Sequence, residues 1–219
     1  MTALRIAIVG AESTGKTTLA GALVRRLRDE FALNAVEVPE VLRQWCDDRG
    51  RTPRRDEQRD IALLQQQRID AAARDADVVV CDTTPLMIAV YSRIVFGDDS
   101  LVAMARTLHA SNAFTLLTGL DIAWMPDGLQ RDGPHVRAPV DEAIRGHLLA
   151  AGADWAVVMG EGEARTGNAL AALRPVLAAW CACPGGSAGL FSALLDSRRG
   201  PARPPAAPCP RCDPPQAAG

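Results

Sequence analysis

Lysine, aromatic residues and long apolar runs are scarce in this chain, and these absences exclude some kinds of protein. Aromatic residues make up 4% of the sequence, and no apolar run is long enough to cross a bilayer. The formal charge is -2, so the chain has no overall positive field to attract nucleic acid. The opening residues lack a secretory leader pattern, and the six cysteines are scattered rather than arranged as a disulfide framework. We therefore expect a soluble, cytoplasmic protein that binds neither nucleic acid nor a membrane.

Only one of the 24 basic residues is a lysine, Lys16, and all the others are arginine. The planar guanidinium group of arginine is a poor replacement for the compact ammonium group of lysine. A lysine that persists in so strongly arginine-biased a sequence therefore indicates a role that needs a point charge.

Short branched runs alternate with segments of helical periodicity along most of the 219 residues. This alternation predicts an α/β domain with a five-stranded parallel sheet between two layers of helices, the three-layer fold of P-loop NTPases. The predicted strands are residues 4–9, 34–38, 77–81, 114–118 and 155–159.

The composition changes after Trp180, where proline, glycine and alanine become frequent and little core can be buried. We predict one domain over residues 1–180 and a largely disordered tail over 181–219, with a short helix at 189–198 that could dock on the domain. The tail carries paired thiols that either bind zinc or stay unliganded. These thiols belong to Cys181, Cys183, Cys209 and Cys212.

Residues 10–17 read Gly-Ala-Glu-Ser-Thr-Gly-Lys-Thr and match the phosphate-binding pattern G-x-x-x-x-G-K-[ST] at every defined position. Glycines let successive amides turn inward, and the dipole of the following helix also attracts phosphate. We predict that Lys16 reaches the β and γ phosphates of ATP and that Thr17 is a ligand of Mg²⁺. The predicted nucleotide-binding residues are Gly10, Ala11, Glu12, Ser13, Thr14, Gly15, Lys16, Thr17 and Thr18.

The single lysine also separates classes of P-loop protein. A Ras-like GTPase reads guanine with a later N-K-x-D lysine, which this sequence lacks. We find no L-S-G-G-Q transporter signature, and the region after the fifth strand is too short for the extra helical domain of an AAA+ motor. A compact small-molecule kinase remains the main hypothesis. The alternative is a regulatory ATPase or nucleotide-dependent switch that acts on a protein partner.

Two carboxylates follow predicted strands at the sheet edge where ligands bind in open α/β folds. Asp82 comes after the apolar run 78–81, as in a Walker B element, which favours a catalytic or Mg²⁺-binding acid over a plain turn carboxylate at the end of a strand. Glu40 follows the second strand and either serves the acceptor hydroxyl or is a first-turn helix acid. Arg43 shares its helix face and is either a substrate contact or the partner of Glu40.

Residues 124–139 contain three prolines and two glycines between the fourth strand and the next helix, which suggests a lid. Arg131 and Arg137 of this segment would close on the transferring phosphate, supplying charge and excluding water. The alternative is a surface loop whose arginines are solvated.

Four features in this order resemble the kinase domain of the NadR family, a branch of P-loop kinases linked to phosphorylation of nicotinamide riboside in NAD metabolism. They are GAESTGKTTLA, the Glu40-x-x-Arg43 pair, Cys81-Asp82-Thr83 and Trp124-x-x-Asp127-Gly128-Leu129. The resemblance covers residues 4–180.

The resemblance implies a stand-alone kinase-like domain that uses ATP and Mg²⁺ on a nucleoside-like acceptor. Glu40 and Asp82 would serve Mg²⁺ and the acceptor hydroxyl, and Arg131 and Arg137 would contact phosphate. Thr84 stands where the family pattern has a second acid.

Overall fold

The computed structural model describes residues 2–125 and 133–182, which form a five-stranded parallel sheet flanked by helices. The predicted sheet is confirmed, and each predicted strand end lies within one residue of the observed one. The strands are β1 Leu4–Val9, β2 Ala35–Val38, β3 Val78–Asp82, β4 Phe114–Thr118 and β5 Trp155–Val158. Their order across the sheet is β2-β3-β1-β4-β5.

Seven α-helices connect or follow these strands in the described residues. They are α1 Lys16–Phe31, α2 Val41–Arg49, α3 Gln58–Ala72, α4 Pro85–Phe96, α5 Val102–His109, α6 Arg137–Ala151 and α7 Gly162–Ala182. Proline helps to set two of the starts. Pro39 ends β2 and precedes α2, and Pro85 occupies the first turn of α4, where its missing N–H costs no hydrogen bond.

Helices cover both faces of the sheet, which confirms the three-layer arrangement. α1 and α7 pack on one face, where Leu19, Leu23 and Leu27 of α1 are fully or almost fully buried with Leu173 and Leu177 of α7. Burial of each such leucine contributes about 2 kcal/mol. Helices α3, α4 and α6 cover the other face.

The central strand β1 pairs with β3 on one side and with β4 on the other. The chain leaves β1 for β2 on one side of it and later passes from β3 to β4 on the other side, so the loop after β1 lies beside the topological switch point. The carboxyl ends of β2 and β3 meet the same edge. The fold thus brings the residues after β1, β2 and β3 together.

The predicted domain boundary at residue 180 falls inside α7, which continues to Ala182. Cys181 is consequently a core residue rather than part of a tail. Its side chain is buried against the face formed by α1 and α7, and burial raises the pKa of its thiol. Cys183, Cys209, Cys212 and the predicted helix at 189–198 lie outside the described residues. Within the described ranges, no helix has the length and apolar character needed to span a membrane.

Candidate active site

The loop after β1 adopts the backbone that a phosphate-binding loop requires. Ser13 and Gly15 have positive φ values of 54° and 74°, and α1 begins directly after them. Among the described residues no side chain caps the N-terminus of α1. Its first N–H groups can therefore bind an anion, with the helix dipole in support.

Two buried threonines attach this loop to the sheet. The hydroxyl of Thr14 donates to the Ala11 carbonyl at 2.8 Å and lies 2.7 Å from the hydroxyl of Thr118 at the end of β4. Gly10 passes so close to β4 that a Cβ atom there would lie 2.0 Å from the Thr118 hydroxyl oxygen. Only glycine fits this approach, which explains the first position of the motif.

Lys16 and Thr17 begin α1 on the side of the loop where phosphate would bind. The Nζ of Lys16 donates to the Ala11 carbonyl at 2.9 Å, so the ammonium group lies over the loop. The Thr17 hydroxyl donates to Oδ2 of Asp82 at 2.6 Å. The pairing of a P-loop hydroxyl with the acid that ends β3 agrees with the Walker A and Walker B arrangement of the sequence analysis.

Asp82 is 1% exposed, and its second oxygen, Oδ1, is buried without a hydrogen-bond partner among the described residues. A buried carboxylate oxygen is normally satisfied, so this atom calls for a ligand. Carboxylate and hydroxyl oxygens are the donors that Mg²⁺ prefers. Thr17 and Asp82 therefore fit a magnesium ion. No group of three or more His, Cys, Asp or Glu side chains forms a metal site in ranges 2–125 and 133–182.

Glu40 lies at the junction of β2 and α2, and its side chain is 13% exposed. Burial raises the pKa of its carboxyl group, and the nearby negative charge of Asp82 adds to this effect. Lys16 and Arg43 oppose the rise, and the Nε of Arg43 lies 3.5 Å from Oε2 of Glu40. Arg43 is thus the ion-pair partner of Glu40, one of the two roles the sequence allowed.

The backbone on both sides of Glu40 is held by Gln65, a fully buried side chain of α3. Its Oε1 accepts from the Val41 N–H at 2.8 Å, and its Nε2 donates to the Pro39 carbonyl at 3.3 Å. Glu40 is therefore bracketed by a side chain 25 positions later in the chain. Sequence reasoning missed Gln65, because a mid-helix glutamine carries no local signal of such a contact.

The lid hypothesis is modified by the position of Arg137. This residue is the first of α6, is 8% exposed, and donates from Nη2 to the Ile122 carbonyl at 2.9 Å. The structure thus places Arg137 in a helix where it supports the segment after β4, not in a loop above the phosphates. Arg131 lies outside the described residues. Nearer the start of this segment, the Ser13 hydroxyl hydrogen-bonds to the backbone N–H and C=O of Met125 at 2.9 and 3.1 Å.

Arg165 of α7 is a second residue that sequence reasoning missed. It is 3% exposed and donates hydrogen bonds to the Thr14 carbonyl in the phosphate loop and to Asp121 after β4. The N–H of Gly160 donates to the same carboxylate at 2.6 Å. Burial by itself would raise the pKa of Asp121, but the hydrogen bond from Gly160 and the charge of Arg165 lower it overall. The only hint of this role in the sequence is that Arg165 comes soon after Gly160 and Gly162, the two glycines that follow β5.

A cavity of about 780 Å³ joins these elements. One part is lined by the phosphate loop and the first turns of α1, including all residues from Ser13 to Leu19. The other part is lined by residues after β4 and β5, among them Ile122, Ala123, Met125 and Gly162. The cavity therefore has a cationic, amide-rich part at the phosphate loop and a second part where apolar Ile122 and Ala123 lie opposite charged side chains such as Glu161.

Thr84 has a structural role in the turn after β3. It is fully buried, precedes α4 as its N-cap residue, and its hydroxyl lies 3.0 Å from Nδ1 of His109. The other ring nitrogen of His109 lies 3.0 Å from the Thr115 hydroxyl. Burial lowers the pKa of His109 to about 4, so the imidazole is neutral at physiological pH.

Comparisons with known proteins agree with this fold. A protein-family model described as AAA domain matches residues 5–165. Two solved structures of NadR are similar, one in complex with NR at a TM-score of 0.61 and one with NAD and AMP-PNP at 0.60, both with 19% identity. Each covers 80% of this chain, which spans only about half the length of the NadR chains, 50% and 49%.

A thymidylate kinase from Ehrlichia chaffeensis is also similar, with a TM-score of 0.56, 14% identity and coverage of 80% of this chain and 100% of the kinase. A search of curated protein sequences found no match. Identities this low establish a shared fold, so the fold implied by the NadR resemblance is confirmed.

Proposed function

The chain belongs to the AAA domain family, and from this premise we propose that it is an ATP-dependent kinase that phosphorylates a hydroxyl group of a nucleoside-like small molecule. The observation that carries the proposal is the neighbourhood of the buried Glu40 carboxylate. It lies within electrostatic reach of Lys16 and of Asp82, which is itself bonded to Thr17. A cation for phosphate, a site for Mg²⁺ and a candidate base thus share one sheet edge.

ATP would bind with its phosphates at the N-terminus of α1 and its nucleoside in the part of the cavity formed by the segments after β4 and β5. The amides of residues 10–17 and the Lys16 ammonium group would stabilise the β and γ phosphates. Ile122, Ala123 and Gly162 would leave room for a planar base between the segments after β4 and β5.

Thr17 and Asp82 would hold Mg²⁺ through the hydroxyl oxygen and the otherwise unpartnered Oδ1. When bound, the ion neutralises charge on the β and γ phosphates. Asp82 is thereby committed to the cation, which leaves Glu40 to serve the acceptor.

Glu40 would act as the general base of the transfer. The acceptor oxygen forms a bond to the γ phosphorus, the bond from that phosphorus to the β–γ bridging oxygen breaks, and the hydroxyl proton passes to the Glu40 carboxylate. The raised pKa makes this carboxylate a better proton acceptor than a solvated one. Arg43 and Gln65 hold it in place during the reaction.

The choice of acceptor class is supported by the similar solved structures, one of which contains NR and another of which is a thymidylate kinase. Nicotinamide riboside is therefore the first acceptor to test, and its use would place the chain in cytoplasmic NAD metabolism. The other acceptors are ribonucleosides, deoxyribonucleosides and simple sugars.

The test measures Mg²⁺-dependent release of ADP with each acceptor, together with a mass gain of one phosphate on the acceptor. The Lys16→Ala variant provides the background rate of the same preparation. We expect one nucleoside-like acceptor to stimulate release well above that background. ATP hydrolysis that no acceptor changes would refute the kinase proposal. It would favour the regulatory ATPase, particularly if a partner protein bound in only one nucleotide state.

A further inference from the structure

We propose that Arg165 is a positioning residue that fixes the separation between the phosphate-binding loop and the wall that receives the nucleoside. The inference rests on the ATP binding of the proposed function, but it does not depend on phosphate transfer. Arg165 lines the cavity, but we do not assign it a catalytic role, because it is 3% exposed and its three guanidinium nitrogens all donate to protein acceptors.

The three nitrogen atoms of this side chain bond to three separate segments of the site. Nη1 donates to the Thr14 carbonyl in the phosphate loop. Nε donates to the Gly160 carbonyl after β5 at 2.6 Å. Nη2 donates to Oδ1 of Asp121 at 2.5 Å and to the Gly119 carbonyl at 3.5 Å, both after β4. One guanidinium group therefore connects the loops that follow β1, β4 and β5.

The geometry of these bonds requires arginine. The acceptors lie in different directions around a planar group, whose N–H vectors are fixed relative to one another. A lysine ammonium group in the same space can reach fewer of them and does not fix their mutual orientation. The arrangement thus sets distances between loops as well as holding each loop in place.

Burial of a guanidinium group is costly, which argues that the arrangement has a purpose beyond packing. Arg165 is 3% exposed, and its counterion Asp121 has a side chain that is 25% exposed. Stability alone is served as well or better by an apolar residue at such a position. Control of loop separation is something that an apolar residue cannot supply.

The consequence concerns ligands that span the cavity. ATP contacts the phosphate loop and the wall after β4 and β5 at once, so its affinity depends on their preorganised separation. Inorganic tripolyphosphate contacts the phosphate loop alone. A change in separation should therefore weaken ATP binding much more than tripolyphosphate binding.

The experiment compares the full chain with its Arg165→Lys variant by titration calorimetry, using Mg-ATP and Mg-tripolyphosphate as probes. We expect the Kd for ATP to rise by about tenfold or more and the Kd for tripolyphosphate to change by less than about threefold. Arg106→Lys is the matched control, because Arg106 is a half-buried arginine that bonds to His147 between α5 and α6, away from this cavity. It should bind both probes as the unmodified chain does.

Unchanged ATP affinity in Arg165→Lys would overturn the inference and leave the kinase proposal intact. Equal losses of affinity for ATP and for tripolyphosphate would also overturn it, since they would show that Arg165 supports the phosphate loop alone and does not set its distance from the opposite wall. Absence of ATP binding by the unmodified chain would overturn both proposals, whereas ATP binding without transfer would overturn only the kinase.

Asp121→Asn gives a second route if Arg165→Lys does not fold. This substitution removes the charge that orients Nη2, and it keeps only one of the two oxygens that accept from Arg165 and from the Gly160 N–H. We expect a smaller effect of the same kind: the Kd for ATP should rise, and the Kd for tripolyphosphate should stay the same. Unchanged ATP affinity in Asp121→Asn would count as refutation.

Discussion

Replacement of Glu40 by glutamine should slow phosphate transfer and stabilise the protein at the same time. The substitution preserves the shape of the side chain and a hydrogen-bond acceptor for Arg43, but it removes the proton acceptor. General base catalysis contributes about 10²- to 10⁴-fold to a rate, so we expect kcat to fall by about that factor. Binding of ATP should change little, because in the proposed function the phosphates would contact the loop after β1.

The gain in stability follows from the raised pKa of Glu40, which is caused mainly by burial and partly by Asp82. A pKa raised in the folded state means that charging the group above that pKa costs folding free energy. The stability contribution of protonated Glu40 is fully present below the ordinary value of 4.5 and is lost as the pH rises through the folded pKa. Each unit by which the pKa is raised corresponds to about 1.4 kcal/mol at high pH. In a domain of this size, 1 kcal/mol corresponds to about 2–4 °C in Tm.

The assay is thermal unfolding of both proteins at pH 4 and pH 8, paired with the pH dependence of kcat/KM. The glutamine variant should unfold at a higher temperature than the unmodified chain at pH 8, and the difference should shrink toward pH 4. In the unmodified chain kcat/KM should rise with pH through the pKa of Glu40, and the variant should lack this rise.

Glu37→Gln is the matched control for this prediction. Glu37 is a half-buried carboxyl group on β2, and its pKa is raised by burial and by the charge of Asp82, as that of Glu40 is, but Arg25 rather than Arg43 is its cationic neighbour. Its replacement should stabilise the chain without loss of kcat. An unchanged kcat in Glu40→Gln would remove Glu40 as the base. Lower stability at pH 8 would show that Lys16 and Arg43 stabilise the carboxylate by more than burial costs.

Three further substitutions test the loop and the core beneath it. Lys16→Ala should lower turnover by about 10²- to 10³-fold in the ADP-release assay, because the transferring phosphate loses its cation. A variant that turns over as fast as the unmodified chain would contradict this role of Lys16. Gly10→Ala should lower stability by about 1–3 kcal/mol in urea unfolding, since the new Cβ meets Thr118 and φ is 155°; an unchanged midpoint would refute the steric argument. His109→Gln should flatten the pH dependence of stability. The pKa of about 4 against an ordinary 6.5 means that the folded state resists protonation, so stability falls by about 3 kcal/mol as the pH drops from about 6.5 to 4. An equal slope in the variant would contradict this.

The phosphate loop and the sheet could be predicted because their signals are local. The P-loop pattern specifies backbone conformation through its glycines, and the branched runs of β1 and β3 are buried on both faces. The contact of Thr17 with Asp82 also followed from a local rule, that strand ends meet at one edge of a parallel sheet. Those parts needed no knowledge of how distant side chains pack.

The residues that hold these groups in place could not be predicted in the same way. Gln65 reaches Val41 across 24 positions, and Arg165 reaches Thr14 across 151. Such contacts depend on tertiary packing that no periodicity encodes. For Arg137 a local signal was misleading. Prolines and glycines in residues 124–139 indicated a loop, but a short 3-10 helix at Pro134–Val136 and the start of α6 occupy most of the second half of that segment.

The turn after β3 supports the different roles that we propose for Asp82 and Glu40. Thr84 takes the place of the second acid in the NadR family pattern, and its hydroxyl is bound to the neutral imidazole of His109 rather than directed at a ligand. A carboxylate there would be fully buried beside a group that resists protonation, which is unfavourable. Asp82 is therefore the one acid of its turn, and in the proposed kinase its position beside Thr17 would commit it to the cation. In that proposal the acceptor hydroxyl would be served by Glu40 at the end of β2, so we expect the acceptor to be selected mainly by the side chains that surround the start of α2.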